Sequence, residues 1–456
     1  MTTTLVTTDA IGTNLTYTFS VAGDIFALAA GTRIVADGYS YIYGTTAGIT
    51  VMIDGYLWLQ GVTNTGGSPF YFVGGDRITI GADAQMTLSS APGSSWGGIM
   101  LGQNNFGGTD FSNAGQITLL GGNGFIAEGG NNIVRNSGTI DVTNGDFNFD
   151  GTGGDALRNA GTITGRALDV IFLGEGANSV INTGHIDGNI IFGSGADTFQ
   201  GIGGTVSGSV TGGDGADAYY TSDSALMIIE GAGATSGIDT VYSTVSFRLS
   251  ANVEKLDLLG FAITGIGSAT NNTVNGNGAD NRIFGHAGSD SLVGYEGDDV
   301  VGGGSGNDTL RGSDGDDVLR GADDNDSLYG GGDNDLLTGG LGVDAMSGGS
   351  GGDRFIFVRR AESGSSVATS DLISDFAVGQ DVIDLFGIDA NINDAVPNNA
   401  FIFIGTSAFT NLAGQMRYSS AGGVTTLQMD TNGNGTADMS IRLTGTLTLT
   451  AQDFIL

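Results

Sequence analysis

GGSGNDTLR (303–311), GSDGDDVLR (312–320) and GADDNDSLY (321–329) are consecutive nonapeptides that share glycine at position one, aspartate at position six and leucine at position eight. The nine-residue period runs without a slip from Gly267 to Ile356, giving ten repeats. Position one reads Gly267, Gly276, Gly285, Gly294, Gly303, Gly312, Gly321, Gly330, Gly339 and Gly348. Position six reads Asn272, Asn281, Asp290, Asp299, Asp308, Asp317, Asp326, Asp335, Asp344 and Asp353, and position eight is apolar from Val274 to Phe355. Six glycine-rich residues make a tight turn, and the other three make a short strand whose central side chain points inward.

Two such units complete one coil, so stacking brings aspartates eighteen residues apart, such as Asp290 and Asp308, together along one edge. The ten repeats hold fifteen Asp, one Glu and four Arg, a net charge of −12 that a column of cations would neutralise. Calcium suits this column, because it takes six to eight oxygens in flexible geometry and stacked turns offer carboxylates together with glycine carbonyls.

The rest of the composition agrees with a glycine-rich β-structure. Glycine supplies 84 of 456 residues, far above the roughly 7% of an average protein, and without the every-third-residue period of collagen. The apolar fraction of 39% lies in short alternating runs, which excludes a disordered chain. With no cysteine and two histidines, disulfides and Cys/His zinc sites are excluded. Of the 49 acids only six are Glu, so the shorter carboxylate, suited to turns and hard cations, was selected. A net charge of −34, a single lysine (Lys255) and scattered arginines exclude nucleic acid as a partner. No run approaches the ~18 apolar residues of a membrane span.

The pattern GGxGxDxUx, clearest in GGSGNDTLR and GGLGVDAMS (339–347), resembles the RTX calcium-binding repeats. The resemblance implies a parallel β-roll in which turns i and i+2 share a calcium. Its ligands would be the carboxylates of Asp290, Asp299, Asp308, Asp317, Asp326, Asp335, Asp344 and Asp353. The backbone carbonyls of Gly285, Gly294, Gly303, Gly312, Gly321, Gly330, Gly339 and Gly348 would join them. Asp324 and Asp333 depart from the pattern at position four, and Asn272 and Asn281 at position six imply that the first two repeats extend the stack with weak ion binding or none.

Downstream of the connection RRAESGSSVATS (359–370), the chain is similar to the C-terminal domain of the serralysin metalloproteases. The residues that carry this likeness are Asp371, Ile373, Asp375, Phe376, Gly379, Asp381, Ile383, Asp384 and Leu385. The final Asp453, Phe454, Ile455 and Leu456 resemble an uncleaved signal read by type I secretion machinery, which accounts for an opening without a signal peptide. No HExxH is present, so the protease activity of that family is not expected. DTNGNGTAD (430–438) matches the first half of an EF-hand loop, but Ile441 stands where a bidentate Glu is required and the flanks alternate like strands. It therefore reads as a hairpin turn.

A second repeat precedes the nonapeptides. Asn113/Gly115/Ile117, Asn136/Gly138/Ile140, Asn159/Gly161/Ile163 and Asn182/Gly184/Ile186 follow one another at 23 residues, predicting a parallel β-helix with an asparagine ladder at one corner. FGSGADTFQ (192–200) and GGDGADAYY (212–220) look like isolated calcium repeats, with Asp197 and Asp217 as further candidate ligands. Arg135 and Arg158 should stack on successive coils as a solvated pair, and His185 should face outward, exposed and unpartnered. No catalytic constellation is recognised.

The expected architecture is all-β. A parallel β-helix passenger over 1–266 continues into an RTX parallel β-roll over 267–358, followed by a C-terminal β-domain over 359–456 with a terminal secretion signal. The expected function is that of an extracellular, secreted or cell-surface calcium-binding protein that folds on meeting calcium outside the cell. It would be a non-enzymatic matrix or adhesion protein with a polysaccharide as partner. The alternative is a calcium-dependent polysaccharide lyase or epimerase on the β-helix.

Overall fold

Position eight of the nonapeptides is apolar because it faces the interior between two sheets. In the computed structural model all ten of these side chains, from Val274 to Phe355, are 1% exposed or less. The structure describes every residue except 1–2, 14–15, 20–22, 38–40, 45–48, 63–69, 73–74, 91–97, 102–107, 121–123, 143–144, 233–236 and 394–398. The chain divides into two compact units, Met1–Val241 and Tyr242–Leu456. Both are parallel β-solenoids.

In the first unit, each coil contributes a strand to each of two sheets. One sheet stacks Ile25–Leu28, Thr50–Ile53, Arg77–Ile80, Asp110–Asn113, Ile133–Asn136, Ala156–Asn159, Ser179–Asn182, Thr198–Gln200 and Ala218–Thr221, every neighbour pair being parallel. The 23-residue period is the register itself, since Asn113 lies opposite Asn136, Asn136 opposite Asn159 and Asn159 opposite Asn182. Like residues therefore stack on like, and the alternation within each strand sends Val134, Leu157, Val180 and Phe199 inward. Phe125 and Phe147 continue this in the interior as a stacked ring pair with centroids 4.2 Å apart.

In the second unit, the register is eighteen residues, with Leu292 against Leu310, Leu310 against Leu328, and Val301 against Leu319. The strands are longer than the three residues expected. Val300–Ser305, Thr309–Asp314 and Val318–Asp323 each run on through position three of the next nonapeptide, because the first turn residues still pair with the coils beside them. After the repeats, Leu372–Ile373 and Val382–Asp384 extend the two sheets, pairing with Ala345–Ser350 and Arg354–Ile356. An antiparallel meander of Gln415–Ala421, Val424–Asp430 and Met439–Thr444 follows. Its last strand pairs with Leu372–Ile373, and the final Phe454–Ile455 pairs with Val382–Asp384.

Candidate metal centres

Each position-six aspartate stands immediately before a strand, where the turn closes, and all eight from Asp290 to Asp353 are buried. One carboxylate oxygen, Oδ1, accepts the backbone N–H of the residue eighteen positions earlier at 2.7 to 2.9 Å. Two columns result, Asn272–Asp290–Asp308–Asp326–Asp344 and Asn281–Asp299–Asp317–Asp335–Asp353. The other oxygen, Oδ2, is buried in all eight without a hydrogen-bond partner. A buried carboxylate oxygen left so is costly, and eight of them in two columns call for a cation.

The position-one glycines make room for these oxygens. A Cβ at Gly312 would stand 2.0 Å from Oδ2 of Asp317, and one at Gly321 would stand 2.1 Å from Oδ2 of Asp326 and 2.5 Å from the Gly339 carbonyl oxygen. Carboxylate and glycine carbonyl of the coil two repeats on thus converge where a side chain would otherwise sit. The same pair meets at Gly285 and Gly330, where Gly303 and Gly348 supply the carbonyls. This all-oxygen donor set of carboxylates and carbonyls fits calcium.

Burial pushes the carboxyls upward. Asp308, Asp317 and Asp344 rise to about 6, Asp299 to about 7, and Asp326 and Asp335 to about 8, despite the lowering effect of the backbone N–H each accepts. Neighbouring aspartates add to the rise at Asp326, through Asp344 and Asp308, and at Asp335, through Asp317 and Asp353.

The columns continue further than the nine-residue period shows. Asp371 accepts the N–H of Asp344 at 2.9 Å, and Asp381 accepts that of Asp353 at 3.0 Å. The triplets Asp371-Leu372-Ile373 and Asp381-Val382-Ile383 repeat positions six to eight, a signal hidden because the spacing lengthens beyond eighteen. At the other end, Asn272 and Asn281 satisfy themselves. Their amide nitrogens donate to the carbonyls of Val253 and Ala262, and their oxygens accept from Ser268 and Asn277. Asp324 and Asp333 hold the left-handed turn at position four, with φ of 77° and 70°.

In the first unit, Asp197 and Asp217 repeat the arrangement. Their Oδ1 atoms accept the N–H of Asn178 at 2.6 Å and of Asp197 at 2.7 Å, and their Oδ2 atoms are buried without a partner. Sequence reasoning missed that Asp155 does the same, accepting from Asn132 at 2.6 Å. The asparagine ladder forms as expected, Nδ2 of Asn113, Asn136 and Asn159 each donating 2.8 Å to Oδ1 of the next.

Arg135 and Arg158 are opposite each other, and both line a groove of about 410 Å³ together with Ser112, Asn136, Asn159 and Thr183. Arg135 is ion-paired with Asp110. The expectation for His185 needs correction. It is half-buried, with Nδ1 2.8 Å from the hydroxyl of Thr205, because the coil after it aligns Thr205 with His185. The loop at 430–438 is a hairpin turn whose carboxylates serve the turn itself. Asp430 accepts the N–H groups of Gly433 and Gly435, and Asp438 those of Thr431 and Asn432.

Among known families, Peptidase M10 serralysin C terminal matches residues 162–456. The chain belongs to this family. The match begins well before the nonapeptides and takes in Asp197 and Asp217 as well as both columns. Serralysin C-terminal domains carry RTX-type repeats, which are generally calcium-binding, and the family is typically secreted. No curated protein matches the chain. Among solved structures it is similar to two subunits of the Azotobacter vinelandii mannuronan C5-epimerase, each at 22% identity and a TM-score of 0.21. The AlgE6R3 comparison covers 42% of this chain and 80% of that one, and the AlgE6R2 comparison 41% and 92%. Among the described residues of this serralysin-family chain, no helix is long and apolar enough to cross a membrane.

Proposed function

We propose that this chain is a secreted, non-enzymatic β-solenoid that folds on binding extracellular calcium and acts at a cell surface or in a matrix, where it holds a polysaccharide. The observation that carries the reading is the two columns of buried, unpartnered Oδ2 atoms, which at Gly285, Gly321 and Gly330 meet a glycine carbonyl of the neighbouring coil. Asp290, Asp299, Asp308, Asp317, Asp326, Asp335, Asp344 and Asp353 would hold the ions, with carbonyls of the position-one glycines. Bound calcium supplies the positive charge that lets these carboxylates stay ionised inside the fold.

The switch follows from linkage. Ions that bind only the folded state stabilise it by RT ln(1 + [L]/Kd) per site. For extracellular modules with Kd of 10⁻⁴ to 10⁻³ M, millimolar calcium gives about 0.4 to 1.4 kcal/mol per site, which accumulates along a column. Where calcium is scarce, the carboxylates repel and shift the repeats toward the open state, which suits passage through a type I secretion channel. Circular dichroism with chelator and with millimolar calcium tests this, and the same β-signal in both would overturn it.

The groove over Arg135 and Arg158 supports the binding role. Its lining offers guanidinium, hydroxyl and amide groups, suited to hydroxylated or carboxylated sugars, and among the described residues it holds no carboxylate or imidazole to abstract a proton. Incubation with uronate and neutral polysaccharides separates this reading from a lyase or epimerase. Retention of unaltered polymer is expected, and a change in its length or sugar composition would favour the enzyme.

A further inference from the structure

We infer that Asp217, Glu230 and Asp239 form a separate calcium site within the first unit, built from three carboxylates rather than from a carboxylate and glycine carbonyls. Asp217 ends the turn of GGDGADAYY, but the residues around it differ from those in the roll. Ser209–Thr211 pairs in parallel with Met227–Ile229, with Thr211 against Ile229, so Glu230 follows its strand at the height where Gly212 follows the preceding one. Since Gly212 has no side chain, Glu230 can fold across it.

A Cβ at Gly212 would stand 2.2 Å from Oε1 of Glu230, 2.4 Å from Oδ2 of Asp217 and 2.0 Å from the hydroxyl oxygen of Tyr219. Side chains from three places in the sequence therefore aim oxygens at one point. Asp239 completes the group. Its Oδ1 accepts the N–H of Asp217 at 2.8 Å, and one oxygen from each of the three acids lies within 4.8 Å of the others.

The burial is what turns an acidic cluster into a site. Asp217, Glu230 and Asp239 are 2%, 7% and 0% exposed, and Oδ2 of Asp217 points into the cluster with no hydrogen-bond partner. Tyr219, at the inward position eight, donates its hydroxyl to Glu230 and so orients that carboxylate. Three buried carboxylates meeting at one point are stabilised by a cation when ionised, and the donors are all hard oxygens, which selects calcium over softer transition metals.

The inference shares with the proposed function only the identity of the cation, and the test separates the two. Calcium ions per full-length chain are counted by native mass spectrometry for the wild type, Glu230→Gln and, in the roll, Asp317→Asn. The expected result is that Glu230→Gln carries one ion fewer than wild type, while Asp317→Asn loses ions independently of it. Melting supplies a second readout. Glu230→Gln should gain less melting temperature from calcium than wild type does, because a ligand has been lost. An unchanged ion count, or a gain in melting temperature from calcium equal to that of wild type, overturns the site while leaving the roll standing. A wild-type chain that takes up no calcium overturns both. Asp239→Asn, whose amide oxygen can still accept the Asp217 N–H, repeats the count if Glu230→Gln fails to fold.

Discussion

Asp317 accepts the backbone N–H of Asp299 at 2.8 Å through Oδ1 and leaves Oδ2 buried where a Cβ on Gly312 would stand 2.0 Å from it. One oxygen of the carboxylate thus builds the fold, and the other is the proposed ligand of an ion. Asparagine would keep the first role and abolish the second. Asp317→Asn should therefore raise the stability of the calcium-free roll and reduce its gain from calcium. Paired thermal melts in chelator and in calcium check this, and an equal calcium gain in variant and wild type would show that Asp317 is not a ligand.

The raised carboxyls make the calcium-free roll sensitive to pH. For a carboxyl whose folded value lies above its unfolded value of about 3.9, the stability is fully present below the unfolded value and lost as pH rises through the folded one. With Asp308 and Asp317 at about 6 and Asp326 and Asp335 at about 8, the window runs from about pH 4 to pH 8. In chelator, the second unit should melt at a higher temperature at pH 5 than at pH 8. With calcium the order should reverse, because the ion replaces protons and binds more tightly as they leave. Calorimetry in buffers of different ionisation enthalpy should detect proton release on binding at pH 7.

Ala322 offers a test of the turn rather than of the ion. It lies at position two with φ of 93°, between Gly304 and Gly340 of the neighbouring coils, which hold φ of 120° and 109°. A left-handed alanine costs about 1–2 kcal/mol, while glycine adds unfolded-state freedom worth roughly 0.5–1 kcal/mol in the other direction. Ala322→Gly should therefore stabilise the roll by about 0.5–1 kcal/mol with or without calcium, read from denaturant midpoints.

The two columns were legible because a single spacing carried them. Gly312, Asp317 and Leu319 each answer a different requirement, for space, for a ligand and for core, and all recur every nine residues. Asp371 and Asp381 escaped because an insertion lengthens the spacing to 27 and 28 residues while the strand register stays intact. Glu230 escaped for a different reason. It reaches the site only through the stacking of Ile229 on Thr211, and nothing around it in sequence distinguishes it from a surface acid. His185 was misread because alternation along its own strand gives the direction of a side chain but not its neighbour on the next coil.

The asparagine ladder should behave independently of calcium. Asn136 accepts from Nδ2 of Asn113 and donates to Oδ1 of Asn159, both at 2.8 Å, and also reaches the carbonyls of Gly138 and Thr162 at 3.2 and 3.1 Å. It is 2% exposed, so its removal strands polar groups of two neighbouring coils away from water. With net contributions near 1 kcal/mol per bond and a further penalty for the groups left unsatisfied, Asn136→Ala should cost about 2–4 kcal/mol. Hydrogen exchange of the amides of Ile133–Asn136 and Ala156–Asn159 should accelerate by the same factor in chelator and in calcium. A loss of protection that calcium repairs would mean instead that this corner is held by ions, as is proposed for the aspartate columns.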